Sequence, residues 1–154
     1  MFTLLEGLKF GATSAMGIFA GGAAYINLVE HPSRRDLPVA ALRQQWANSF
    51  DRGKLCLPSM GLIGAGCATA VYFLDESENR YYWLSGPGLF ITGGLFSAVA
   101  MLPDINILLD KEVVEKKGET WVRDAIDRWN SRHMFRTFLD CVAFFTFLYL
   151  SIKT

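Results

Sequence analysis

Two histidines, His31 and His133, are the side chains of this chain best suited to carry a proton near neutral pH. They lie about 100 residues apart, each at the edge of a long apolar stretch. Asn27 precedes His31 by one helical turn. Trp129, His133, Arg136 and Asp140 recur at i, i+4, i+7 and i+11, which is one face of a helix. Asp140 is the costliest of these residues. It falls about two turns into an apolar segment, and a carboxylate inside a membrane costs at least a few kcal/mol unless it is paired. It should therefore face inward, where Arg136, one turn earlier, can form an intramembrane ion pair with it. That pair either holds the helices together or begins a polar wall leading into a cavity. With Glu30 and Asp104, the two histidines make up a His₂-carboxylate set of the kind that binds metals. The spacing matches no ligand motif, however, so no metal is expected. No GxSxG is present, no Cys neighbours a His, and Gly61-xx-Gly64-x-Gly66 lies in an apolar segment rather than at a nucleotide-binding turn.

The elements that position these residues show in the distribution of charge. The 154 residues include 15 Lys plus Arg and 15 Asp plus Glu, for a net charge of zero. Three Cys make no disulfide scaffold, and there is no basic excess to hold a nucleic acid. Three windows within residues 10–29, 55–74 and 81–103 carry no charge, and the window 134–152 carries only Arg136 and Asp140. Each is about 20 residues, or roughly 30 Å of helix, which matches the apolar core of a bilayer. A soluble helix would show a polar stripe. The expected fold is all-α, a single integral membrane domain over residues 1–154, with four transmembrane helices at about 9–29, 55–74, 83–103 and 134–152. The first window has no basic leader and is long for a signal peptide, so it reads as a retained span. Gly17-xxx-Gly21 and Gly93-Gly94 suit close helix packing in lipid.

Four spans put both termini on one side. The two long connections hold Arg34, Arg35, Arg43, Arg52 and Lys54, then Lys111, Lys116, Lys117, Arg123, Arg128 and Arg132. With Arg136, this places 12 of 15 basic residues at one end. The positive-inside rule puts that end in the cytosol, or in the matrix of a mitochondrion. The inner mitochondrial membrane and the endoplasmic reticulum both fit. Amphipathic interfacial helices are expected in both connections, with Gly53 and Pro58 marking entry into the second span and Gly118 a break in the other connection. Trp46, Trp121 and Trp129 are candidates for interface anchoring. His31, Asp104, Asn106 and His133 all fall at this same basic end.

At these residues the chain resembles the anthrone oxygenase-like family of small tetraspan membrane proteins. The resemblance runs from about Gly11 to Leu150. It is carried by His31-Pro32 with Arg34, by Trp46 with Phe50, Arg52 and Gly53, by Pro103-Asp104-Ile105-Asn106, and by Trp129-Asn130-x-x-His133-x-x-Arg136. It implies an O₂-dependent monooxygenase without added cofactor, acting on a flat apolar phenolic or quinone-like small molecule that enters from the bilayer. It further implies His31 or His133 as base, with Asp104 and Arg136 in the catalytic set. Asn106, Asn130 and Arg136 would be oxyanion donors, and Trp46 and Trp129 would stack on the substrate. Two other readings stand beside it. One is a non-catalytic accessory subunit of a larger membrane assembly, such as a respiratory complex, and the other is a small transporter gated by Arg136 and Asp140. An enzyme requires an enclosed cavity at the basic end. A structural subunit requires that space to be filled by the chain's own side chains.

Overall fold

A computed structural model describes residues 3–153. Among them there is no strand. Four helices are long and apolar enough to cross a membrane: α1 (Leu4–Arg34), α2 (Val39–Leu74), α3 (Glu78–Leu108) and α5 (Glu119–Lys153). A short helix, α4 (Val113–Lys117), precedes the last. Thr3 starts α1 through a capping box. Its hydroxyl accepts from the Glu6 N–H at 3.2 Å, and the Glu6 carboxylate accepts from the Thr3 N–H at 2.8 Å. Gly118, at φ +85°, makes the turn between α4 and α5 in a region closed to other residues.

The amphipathic segments expected in the connections are helical, but they are not separate elements. The first is continuous with the second span, making α2 36 residues long. The second is continuous with the fourth span, making α5 35 residues long. At 1.5 Å per residue each helix is roughly 50 Å long, well beyond a hydrocarbon core of about 30 Å. Gly53 and Pro58 lie inside α2 instead of marking its start. Basic side chains of these extensions close the ends of neighbouring helices. Arg43 donates through Nε to the Leu108 carbonyl at 2.8 Å and through Nη2 to that of Leu109. Arg123 donates to the carbonyls of Arg35 (2.6 Å) and Leu37 (3.2 Å).

Prolines set the local geometry of α1 and α3. A proline has no N–H for the carbonyl four residues back, and its ring crowds that carbonyl. For Pro32 the carbonyl belongs to Leu28, and for Pro103 it belongs to Val99. Each lies in a π-helical turn, Ile26–Glu30 in α1 and Ser97–Met101 in α3. The wider turn relieves the clash by one extra residue. Arg132 Nη1 also donates to the Ala100 carbonyl inside the second π-turn, at 2.6 Å.

α1 packs on α2 and α5, and the first half of α3 packs on α2 and α5. The buried apolar side chains form two clusters. One, at the end of the two long connections, gathers Leu42, Trp46, Leu108, Val122, Ile126 and Trp129. The other, in the opposite half, gathers Met16, Phe19, Val71, Trp83 and Phe147, with Trp83 stacked on Phe147 at 5.0 Å. Among the glycines, Gly64 of α2 is the one held against another helix's backbone, where a Cβ would lie 3.1 Å from the Met16 nitrogen and 3.3 Å from the Ala12 oxygen of α1. Of the Gly17-xxx-Gly21 pair, Gly17 accepts the Phe144 ring and Gly21 faces open space. At the far end, Lys9 Nζ lies 2.9 Å from Asp75 Oδ2, tying α1 to the end of α2. Burial alone would push the Asp75 carboxyl up, but Lys9 and the Ser77 N–H (2.9 Å) outweigh it and hold the carboxyl below its usual range.

Two outcomes follow from this packing. Gly64→Leu should lower stability in detergent by about 1–3 kcal/mol, because helix backbones must move apart. Gly66→Leu, with nothing within 4 Å, should leave the thermal midpoint unchanged. The lowered Asp75 pKa means that its contribution is present above the unfolded carboxyl value and is lost as pH falls through the folded one. The thermal midpoint should therefore fall on acidification below about pH 4, and Asp75→Asn should remove that part of the pH dependence.

Candidate functional site

The site is built on His133, whose orientation is fixed by a closed ring of hydrogen bonds between α1 and α5. The Thr137 hydroxyl donates to the His133 carbonyl one turn back, at 2.9 Å. Its oxygen is then left to accept from Asn27 Nδ2 at 2.7 Å. That leaves Asn27 Oδ1 facing His133 Nδ1 at 3.0 Å, as an acceptor. Followed around the ring, this network assigns the proton to Nδ1 and the lone pair to Nε2. All three residues are buried. The Trp129 ring stacks on the imidazole, with centroids 4.9 Å apart at 25°. Asn27 reaches its partners from the first position after the start of the π-turn of α1.

His133 lines a cavity of ≈ 190 Å³ at the seam between the two apolar clusters. That is about six times a water's share of liquid volume, enough for a small ring system. Phe19, Ile26, Trp46, Phe50, Leu57, Met101 and Ile105 give it an apolar lining. Its exposed lining residues, Lys54 and Leu102, belong to α2 and α3, so its mouth lies between these helices. An aromatic series runs inward along one wall. Lys54 Nζ lies 5.9 Å from the Phe50 centroid, and Phe50 stacks on Trp46 at 5.4 Å. Trp46 meets Trp129 edge-on at 5.6 Å, and Trp129 in turn covers His133. Trp46 and Trp129 are thus buried cavity walls and not interface anchors.

Arg136 also lines the cavity, with its guanidinium 5.3 Å from the Phe19 ring centroid. Its Nε lies 3.9 Å from Asp140 Oδ2, the approach that the i, i+4 spacing implied, though too long for a hydrogen bond. Asp140 itself is 2% exposed.

The other predicted site residues are placed elsewhere. His31 is buried, but its Nε2 is 3.1 Å from Asp127 Oδ1, and it does not line the cavity. Asp104 is held by Arg132 at 2.9 Å and Arg128 at 3.4 Å, outside the cavity. Asn106 is exposed on α3. Asn130 is buried with its Oδ1 unpartnered, and it does not line the cavity although its neighbours Trp129 and His133 do. Four helices meeting at this end present several faces, and these side chains lie on different ones. Among the described residues, no three His, Cys, Asp or Glu gather as metal ligands do.

Sequence reasoning missed Arg34 as a site residue. It was counted with the basic residues of the first connection, yet it is 1% exposed and lines the cavity. A signal was present. Asn27, His31 and Arg34 repeat the i, i+4, i+7 spacing of Trp129, His133 and Arg136.

Comparison with known proteins gives one result. The family model described as anthrone oxygenase matches residues 46–146, which hold α5 down to Thr146, most of α2, and all of α3. No curated protein and no solved structure matches. The matched segment carries Trp46, Trp129, His133 and Arg136, all four of which line the cavity. With about two thirds of its residues matched and four helices apolar enough to span a bilayer, this chain is a small membrane protein that belongs to the anthrone oxygenase family.

Proposed function

We propose that the protein is an O₂-dependent monooxygenase that needs no added cofactor and acts on a flat, apolar, phenolic carbon acid. The observation that carries this reading is His133. Its Nδ1 is committed to Asn27, its Nε2 has no partner among the described residues, and the residue lines an apolar aromatic cavity. A base held in one orientation in an apolar site is what abstraction of a carbon-bound proton requires. An open cavity also supports catalysis over a purely structural bundle, in which side chains would fill that space.

The chemistry balances without a further oxidant. His133 Nε2 takes a proton from an activated CH₂ between two aromatic rings, leaving a delocalised anion. The anion passes an electron to O₂, and the two radicals combine to form a C–O bond. His133 returns the proton to the distal oxygen, giving a hydroperoxide. Loss of the second C–H proton with cleavage of the O–O bond yields the ketone and one water. In total, CH₂ and O₂ become C=O and H₂O. Arg136, three residues on from His133 and so about 60° around the helix from it, and paired with Asp140, supplies positive charge beside the developing anion.

The test is O₂ uptake by purified protein in vesicles with 1,8-dihydroxyanthrone as substrate. His133→Ala should lower the rate by about 10²-fold or more, whereas His31→Gln, outside the cavity, should stay within a few-fold of wild type. Full turnover by a folded His133→Ala variant would remove the proposal. Asn27→Leu should free the imidazole to rotate and leave Thr137 and His133 without their buried partner. The rate should fall by about tenfold, and stability by about 1–3 kcal/mol on thermal unfolding.

A further inference from the structure

The residues that line the cavity carry more hydrogen-bond donors than the chain uses. Arg34 Nε donates to the Glu30 carbonyl at 3.3 Å, and its Nη2 lies 2.9 Å from Glu30 Oε1. Its Nη1 is buried without a partner, on a side chain that is 1% exposed. The indole N–H groups of Trp46 and Trp129 are also buried without partners. All three residues line the same cavity. A buried donor left unpaired costs about 1–3 kcal/mol, so three on residues that line one space is a costly arrangement unless a partner reaches them. All three are donors, and one carries a positive charge, so the missing partner is an acceptor oxygen with negative character.

We infer that Arg34, Trp46 and Trp129 form an oxyanion cradle that binds the carbonyl or enolate oxygen edge of a fused-ring ligand. This rests on the reading of the cavity as a ligand site, and it adds an orientation to it. The oxygen-bearing edge lies toward Arg34, at the end of α1. The ring body lies along the apolar wall of Phe19, Phe50 and Leu57. Removing a proton from such a ligand moves negative charge onto the oxygen that the cradle holds. Arg34 is therefore a binding and charge-stabilising group, and His133 the proton acceptor. Glu30 keeps the guanidinium in place and leaves one edge of it free.

The experiment is binding of tritiated 1,8-dihydroxyanthraquinone to protein in vesicles, by scintillation proximity with protein-free vesicles subtracted. Tritiated anthracene, the same three-ring body without oxygen, is the second probe. Wild type should prefer the oxygenated probe. Arg34→Met should weaken it by about tenfold or more, and Arg34→Lys by less. Trp46→Phe and Trp129→Phe, which keep a ring and lose only the N–H, should each weaken it by a few-fold. Anthracene binding should stay the same throughout. Glu30→Gln/Arg34→Met removes the ion pair as a unit, and it should reproduce the Arg34→Met loss without leaving a lone buried charge. Equal binding of the oxygenated probe by wild type and all these variants overturns the cradle, as does binding of neither probe by wild type. Selective binding lost with Arg34, but without O₂ uptake on the anthrone, keeps the cradle and removes the oxygenase reading. Uptake that survives in Arg34→Met with unchanged probe affinity does the reverse.

Discussion

In hydrocarbon, a helix carbonyl that loses its N–H has no water to turn to. Pro32, Pro58 and Pro103 each create that situation in α1, α2 and α3. The chain answers with a π-turn before two of them and an arginine on the second π-turn. These distortions cluster around one level of the bundle. Ile26, Pro58, Ser97 and Met101 all line the cavity, so the space lies beside two π-turns and a proline within a third helix. The constraint on the backbone is thus also the origin of the site.

Much of this was legible in the sequence. Charge-free windows gave the four spans, because lipid excludes charge more strictly than any soluble core. The Trp129, His133, Arg136 and Asp140 spacing gave one buried face of α5, because the helical period alone decides which residues share a side. What one period cannot decide is how four such faces rotate against each other. His31, Asp104 and Asn106 lie at the correct end, yet their faces turn toward Asp127, toward two arginines and outward, respectively. Arg34 escaped notice for a related reason. A guanidinium just past a span reads as a topology signal, and only the packed helices show that it is turned inward.

The basic residues illustrate how one composition serves two ends. Their excess at one end reads as an orientation signal, which concerns how a chain meets a membrane. Within the fold, Arg43, Arg123 and Arg132 satisfy backbone carbonyls at helix ends and in a π-turn. The acidic residues beside them hold Arg128, Arg132 and His31 in place. Zero net charge is therefore the sum of many local pairings and not an absence of electrostatic structure.

Each π-turn holds one residue more than a regular helix needs. A span normally tolerates no change in length by a single residue, since everything beyond it would rotate by about 100°. At Ile26–Glu30 and Ser97–Met101 the rotation has already been built in. Deleting one residue from either turn would therefore restore a regular helix there, and would rotate every side chain beyond it relative to the cavity.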